Sequence, residues 1–390
     1  PSGLPYRRMI RLTTNMISGD LSGGGVMKRR SILIGGGALA TAGAAVAYVG
    51  TRRMGSMNDF NASVAITRAA LAQNPDMREL IRYATLAANA HNTQPWRFRI
   101  SEGQIDILPD LSRRTPAVDP DDHHLYASLG CAAENMALAA SASGRAGNLR
   151  FDAANDGAVV FEFGDAASET SALFGAIPHR QSTRGQFDGR PVRAADLRAL
   201  AAAAAVAGVD LILISDRPQI DRVRDLVLAG NSVQTADPAF MRELKSWLRF
   251  SPRQALTMAD GLFSATTGNP TLPAWLGPLM FDMVFDADAE NDKYAHQIHS
   301  SAGIAVFVSA RDDKAHWVRA GRACQRFALQ ATALGLKHAF INQPVEVASL
   351  RPDLAALVGL PGRRPDLVMR FGYGAALPFS ARRSVDAVLV

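Results

Sequence analysis

Two stretches of this sequence, 191 residues apart, carry the same stripe of small residues. In the first, Tyr126, Gly130, Ala133, Ala137 and Ala140 recur at helical spacing, and in the second Trp317, Gly321, Cys324, Ala328 and Ala331 do. Between Gly130–Gly144 and Gly321–Gly335, seven of fifteen residues are identical. Alanine matches cheaply in any Ala-rich helix, so the signal rests on the paired glycines and on Leu138 and Leu329. A face of Gly and Ala lets another backbone approach closely. Two such faces in one chain predict that the helices pack on each other, as the central helices of a homodimer would.

The flanking pattern repeats as well. Leu80, Ala84, Ala87 and Ala88 recur at helical spacing, then "WRFRI" and "QIDILPD" alternate as paired strands around "SEGQ". After the helix at 122–143, "NLRFDA" and "AVVFEF" form a second strand pair. The pattern then restarts: "ADLRALAAAAAVAG" reads as a helix, "VDLILIS" as a strand, and "GIAVFVSA" as a buried central strand. The expected fold is α+β, in two tandem repeats over 60–170 and 171–390, with central antiparallel or mixed sheets flanked by helices. Residues 231–295 interrupt the second repeat with a proline-rich stretch containing Trp247 and Trp275. An interruption of that length is either a lid or an added packing layer.

The net charge of +6 is unevenly placed. Residues 1–53 hold eight basic residues against the single acid Asp20, leaving 34 basic and 35 acidic residues elsewhere. The basicity belongs to a leader, which argues against nucleic acid as a partner. "MKRRSILIGGGALATAGAAVAYVG" starts at Met27 with the charged run Lys28-Arg29-Arg30, continues uncharged, and offers Ala45-Val46-Ala47 for cleavage. Paired arginines before Ser31 and an Ile-Leu-Ile run resemble a twin-arginine signal. The reading predicts a disordered leader over 1–53 and export by twin-arginine machinery to the periplasm or cell envelope. The leader is either cleaved near Ala47 or kept as an anchor, and any membrane contact runs through it alone.

Motifs for several chemistries are missing. Cys131 and Cys324 are the only cysteines, and neither lies in a Cys/His cluster, so both read as small core residues. "DPDDHHLY" at 119–126 sets acids where a helix N-terminus uses them, so it reads as a cap with surface histidines. No metal is expected: "DADAENDK" lacks the Gly and closing Glu of an EF-hand loop. No Gly-x-Ser-x-Gly elbow or phosphate loop occurs. What remains is "IPHRQSTRGQFDGRPV" at 177–192, where His179, Arg180, Ser182 and Arg184 crowd together, and "FGYGAALPFSARRS", which ends in Arg382-Arg383. Guanidinium forks with a hydroxyl suit a phosphate monoester, and the two clusters can close on one dianion.

A third segment gives these a context. Asn89-Ala90-His91-Asn92-Thr93-Gln94-Pro95-Trp96 resembles the Asn-x-Gln-Pro-Trp signature of the nitroreductase family. "HRQSTRGQF" resembles that family's phosphate-binding start, and "ATALGLKHAFIN" and "FGYG…ARRS" resemble its later FMN-contacting segments. The arrangement is similar to the Acg-type branch, a fused two-repeat chain with a twin-arginine-like leader, and the resemblance covers roughly residues 75–390. It implies an intramolecular pseudo-dimer, monomeric as a chain, in which one composite FMN site survives. The matching junction in the second half, "AAAAVAGVDLILI", has no amides, and no Arg-Ser cluster opens the first half.

By resemblance, Arg180, Ser182 and Arg184 hold the phosphate and ribityl chain, and Arg382 or Arg383 completes the clamp. Asn89, Ala90 and Asn92 approach from the other half. Phe340, Ile341 and Asn342 line the isoalloxazine edge, with backbone amides near N1 and N5. The implied activity is an oxidoreductase whose flavin is reduced by NAD(P)H and reoxidised by a small nitroaromatic or quinone, with no catalytic side chain. Two departures stand out: Ala88-Asn89-Ala90 replaces a Pro-Ser-Ser turn, and Asn342 replaces an acid. Two rival readings stay open. One is a flavin-sequestering protein whose 231–295 segment covers the ring and blocks nicotinamide; the other is an exported structural relative without flavin.

Overall fold

The computed structural model describes residues 54–390; the expected leader and export signal lie outside them. In chain order the first part holds α1 (Met57–Thr67), α2 (Met77–Thr85), β1 (Trp96–Ser101), β2 (Gln104–Pro109), α3 (His123–Ala142), β3 (Gly147–Asp152) and β4 (Ala158–Phe163). Next come α4 (Ala172–Ala176), α5 (Ala194–Ala203) and β5 (Val209–Ile214). Residues 215–302 follow, with α6 (Arg217–Ala236), α7 (Pro238–Trp247), β6 (Leu248–Arg249), α8 (Pro252–Met258), β7 (Leu262–Phe263), α9 (Gly277–Val284) and α10 (Ala287–His299). The chain closes with β8 (Gly303–Ser309), α11 (Lys314–Ala333), β9 (Lys337–Phe340), α12 (Gln343–Glu346), α13 (Arg351–Leu357) and β10 (Pro365–Gly372).

Two four-stranded sheets result, in the orders β1-β2-β4-β3 and β5-β8-β10-β9. Every pairing in both is antiparallel, so the mixed alternative is set aside; the one parallel ladder among the described residues is the short β6–β7 pair. Substituting β5, β8, β9 and β10 for β1, β2, β3 and β4 turns one strand order into the other. β8, apolar up to its last residue Ser309, is buried along its whole length between β5 and β10, which explains its hydrophobic run.

The two small-faced helices, α3 and α11, cross at their glycines. A Cβ on Gly130 would fall on the Val318 carbonyl oxygen, and one on Gly321 would fall on the Ala127 carbonyl oxygen, both far inside contact distance. Val318 lies 191 residues after Ala127, the same offset that relates the glycines, so each contact is the image of the other. Further along, the Gln325 amide donates to Asn135 Oδ1 at 2.7 Å, and Glu134 accepts from Arg322 and Arg326 at 2.9 and 2.7 Å. Cys131 and Cys324 are buried free thiols at this crossing. Each helix also fills the other's core: Trp317, Val318 and Leu329 pack with Trp96, Phe98 and Phe161, while Ala127 packs with Phe307, Phe327 and Phe371.

The histidines at the start of α3 correct the expectation of a surface pair. His123 and His124 are 1% and 5% exposed. Asp119 caps the helix with both oxygens, accepting from the amides of His124 and Leu125 at 3.0 Å each, and this draws the first turn inward. His123 Nε2 then meets Asp366 Oδ1 at 2.8 Å.

Residues 215–302 are fastened at several points. Asp260, 6% exposed, bonds Arg249 at 2.6 and 3.0 Å and also pairs with Arg113. Ala255 and Phe263 pack with Phe60 and Val64 of α1. Truncating Asp260 to alanine leaves two guanidinium groups without their shared carboxylate. The expected cost is about 3–5 kcal/mol, read as a lower denaturant midpoint and faster proteolytic cleavage between α7 and α9. Among the described residues, no helix is long and apolar enough to cross a membrane.

Candidate anion and cofactor site

The turn that joins α2 to β1 is strained. His91, Asn92 and Gln94 all have positive φ, at 45°, 54° and 53°. Non-glycine residues held there cost of order 1–3 kcal/mol each, so something must fix them. Their amides do so. Asn92 Nδ2 donates to the carbonyls of Gly261 and Ala381, and its Oδ1 accepts from Arg382 at 2.6 Å. Gln94, fully buried, donates to the Ala259 carbonyl and accepts from the Arg383 amide, both at 2.8 Å. Asn89 Oδ1 accepts from the Gln94 amide at 2.9 Å. The turn therefore bolts three distant segments together: 89–94, 259–261 and 381–383.

Beside it lies a cleft of about 440 Å³, open solvent included. Asn89 and Asn92 line one wall, Arg180, Ser182 and Arg184 another, and Ser380 and Arg382 a third, with Leu262 reaching in from β7. Arg68, from the end of α1, is the fourth arginine in the lining, and no Asp or Glu shares it. Arg68 is held by the carbonyls of Pro178 and Arg180 and stacks on Phe379, its guanidinium 4.1 Å from the ring centre. Arg180, 2% exposed, spends one nitrogen on the Leu86 carbonyl; its Nε and Nη1 have no partner among the described residues, nor has Arg68 Nε.

Burial pushes the Arg180 guanidinium down to about 10. Burial, and secondarily the Arg180 charge, pushes Arg382 down to about 9. Arg68 is lowered by burial and by both of those charges. Guanidinium stays protonated at neutral pH in any case, so these shifts measure a buried positive charge that lacks a counter-charge. A dianion with several oxygens is the species that would relieve it.

A family model described as nitroreductase matches residues 177–374, just over half of the chain. The chain belongs to the nitroreductase family. Two curated relatives from Mycobacterium tuberculosis H37Rv, both named as candidate NAD(P)H nitroreductases, resemble it over most of their length. Rv3131 is 28% identical over 332 residues, 80% of this chain and 90% of its own. The protein named acg is 24% identical over 329 residues, 80% and 94%. Among solved structures, an FMN-bound nitroreductase from Desulfitobacterium hafniense aligns over 55% of this chain and 96% of its own, at 16% identity and a TM-score of 0.37.

In this nitroreductase-family chain, six of the eleven residues expected at the site line the cleft: Asn89, Asn92, Arg180, Ser182, Arg184 and Arg382. The other five lie elsewhere. The Ala90 amide donates to Ser128 Oγ at 3.3 Å. Arg383 faces away from the cleft, toward the Gln94 carbonyl, the Ala387 carbonyl and Asp110, so Arg382 is the cleft arginine of the pair. Residues 340–342 do not line this cleft. The Ile341 amide is spent on the Val368 carbonyl at 2.9 Å and its side chain sits in the second sheet's core. Asn342 Oδ1 accepts the Val368 amide at 2.9 Å, and Phe340 packs between the two cores. Pairing with β10 thus occupies the Ile341 amide and Asn342 Oδ1. Arg68 was missed because "SVAITRAALAQN" shows only an arginine ending a helix; nothing local ties it to residue 180.

Proposed function

We propose that this protein is an FMN-dependent oxidoreductase with one composite cofactor site per chain, its flavin reduced by NAD(P)H and reoxidised by a nitroaromatic or quinone. One observation carries the reading: four arginines and no acid line a cleft whose walls come from both sheets' halves of the chain, and Arg180 Nε and Nη1 and Arg68 Nε lack partners among the described residues. The donor set fits a phosphate monoester. Arg180, Arg68 and Arg382 would hold its oxygens, with Ser182 and Ser380 as hydroxyl partners and Arg184 further along the cofactor.

FMN, when bound, supplies hydride acceptance and donation. The chain's own residues position and enclose. Asn92 orients Arg382 through a 2.6 Å bond, the Leu86 carbonyl fixes Arg180, and Leu262 covers one side of the cleft against water. No side chain is assigned a bond-breaking role.

The reading extends to architecture. We take residues 60–170 and 171–390 as two nitroreductase-like repeats forming an internal pseudo-dimer. The matching strand orders and the paired glycine contacts support this. We also retain export through the leader as part of the proposal, on the sequence of residues 27–50 alone.

The test is spectroscopic. Purified protein should be yellow, with flavin bands in the visible, and should bleach when NADPH is added without oxygen. A colourless protein refutes the cofactor assignment; a flavin that stays oxidised under excess NADH and NADPH refutes the enzyme and favours sequestration.

A further inference from the structure

The segment that brings Ser182 and Arg184 to the cleft is held from behind by two side chains that do not line it. Arg370 of β10 is fully buried. Its Nη2 donates to the carbonyls of Thr183 and Gly185, on either side of Arg184, at 3.3 and 2.7 Å. The Arg184 carbonyl between them accepts from Gln297 Nε2 at 2.8 Å. Gln297, in the last turn of α10, also accepts from Arg370 Nη2 through its Oε1 at 3.2 Å. Arg370 Nη1 reaches the Gln297 carbonyl and Ser301 Oγ at 3.3 and 3.4 Å, and the guanidinium lies 4.2 Å from the centre of the Phe187 ring. Two side chains thus hold three consecutive carbonyls, while the Thr183 amide donates to the His338 carbonyl at 2.8 Å.

This arrangement opposes stability. Buried arginines are usually paired with a carboxylate. Among the described residues every hydrogen-bond partner of Arg370 is neutral, and its Nε has none. Burial pushes the guanidinium down to about 9. An apolar side chain would fill this position in β10 without a buried charge, as Val368, Met369 and Phe371 do beside it. What arginine adds is a rigid fork that reaches two carbonyls of one segment at once. We propose that Arg370 and Gln297 are positioning residues for the cofactor, fixing the backbone of residues 183–185 so that the Arg184 side chain is presented to the cleft. Neither residue is assigned a contact with the cofactor; both act through Arg184. The α10 end of residues 215–302 then has a part in the site that its distance in sequence conceals. The proposal rests on the FMN reading above.

The test sets affinity against stability. FMN binding to the flavin-free protein is followed by fluorescence quenching in Gln297→Glu, in Arg370→Lys, in Arg184→Ala, and in each of the first two combined with Arg184→Ala. A carboxylate at 297 still accepts from Arg370 and gives it a counter-charge, but cannot donate to the Arg184 carbonyl. FMN should bind roughly tenfold more weakly, the size of one lost hydrogen bond to a charged group. The melting temperature of the flavin-free variant should hold or rise. Lysine at 370 keeps the charge but has no fork for Thr183 and Gly185, and should weaken FMN by a similar factor. In the Arg184→Ala background both substitutions should lose their effect on FMN, because the group they position is gone. Three results overturn the proposal and leave the cofactor reading standing. One is unchanged affinity in both variants, and another is a loss that persists undiminished without the Arg184 side chain. The third is a loss matched in both variants by a lower melting temperature or a failure to fold, which makes the role structural alone. An unaltered protein that neither carries flavin nor binds added FMN overturns the cofactor reading itself.

Discussion

Replacing Arg180 and Ser182 together with alanine should strip the protein of flavin while leaving it folded. Each lost hydrogen bond to a charged phosphate is worth about 1.5–3 kcal/mol, so the pair should weaken binding by roughly a hundred- to ten-thousand-fold. The fold should survive because Arg180 does little for the empty protein. It satisfies the Leu86 carbonyl, but two of its buried nitrogens are unpaired among the described residues and its charge is repelled by those of Arg68 and Arg382. Removing an uncompensated buried charge offsets the loss of one carbonyl partner, so the melting temperature of the cofactor-free variant should not fall. Site and stability are in opposition here, as they often are at binding sites. Unchanged flavin absorbance in the purified double variant would place the phosphate elsewhere.

The second large effect lies at the helix crossing. Gly321→Val should destabilise the protein by about 3 kcal/mol or more, or prevent recovery of soluble chain. The new side chain meets the Ala127 carbonyl, which is helix backbone and cannot turn aside. Relief requires α3 and α11 to separate, and both cores contain residues from both helices. Gly175→Ala is the matched control. It lies in α4, and an added Cβ there meets nothing within 4 Å. Alanine at 175 should be neutral or slightly stabilising, because glycine costs about 0.5–1 kcal/mol inside a helix. Equal effects of the two substitutions in thermal unfolding would mean the crossing is looser than described.

How much of this was legible in the sequence depends on how local the signal was. The strands were, since period-two alternation in "WRFRI" and the unbroken apolar run of "GIAVFVSA" follow from having one or both faces buried. The crossing of α3 and α11 was legible too, because glycine at 130 and again at 321 has a single structural use on a helix face. The arginine cluster was found from residue type, but not its membership. Arg382 and Arg383 are indistinguishable in sequence, and only tertiary contacts choose between them. Arg68 is 112 residues from its partner Arg180 and carries no local mark. The histidines of 123–124 were misplaced because the sequence does not show that Asp119 reaches over the amides of His124 and Leu125 or that His123 meets Asp366, 243 residues away. Residues 340–342 were assigned by resemblance alone, and the bonds of the Ile341 amide and Asn342 Oδ1 to Val368 have no local mark in the sequence.

The central claim is that a duplicated chain keeps one cofactor site, formed within a single molecule. The direct measurement is the flavin stoichiometry of the purified protein, from absorbance and amino-acid analysis, together with its mass in solution by light scattering. One FMN per chain in a monomer is the expected result. Two flavins per chain, or flavin bound only in a dimer of chains, would contradict it.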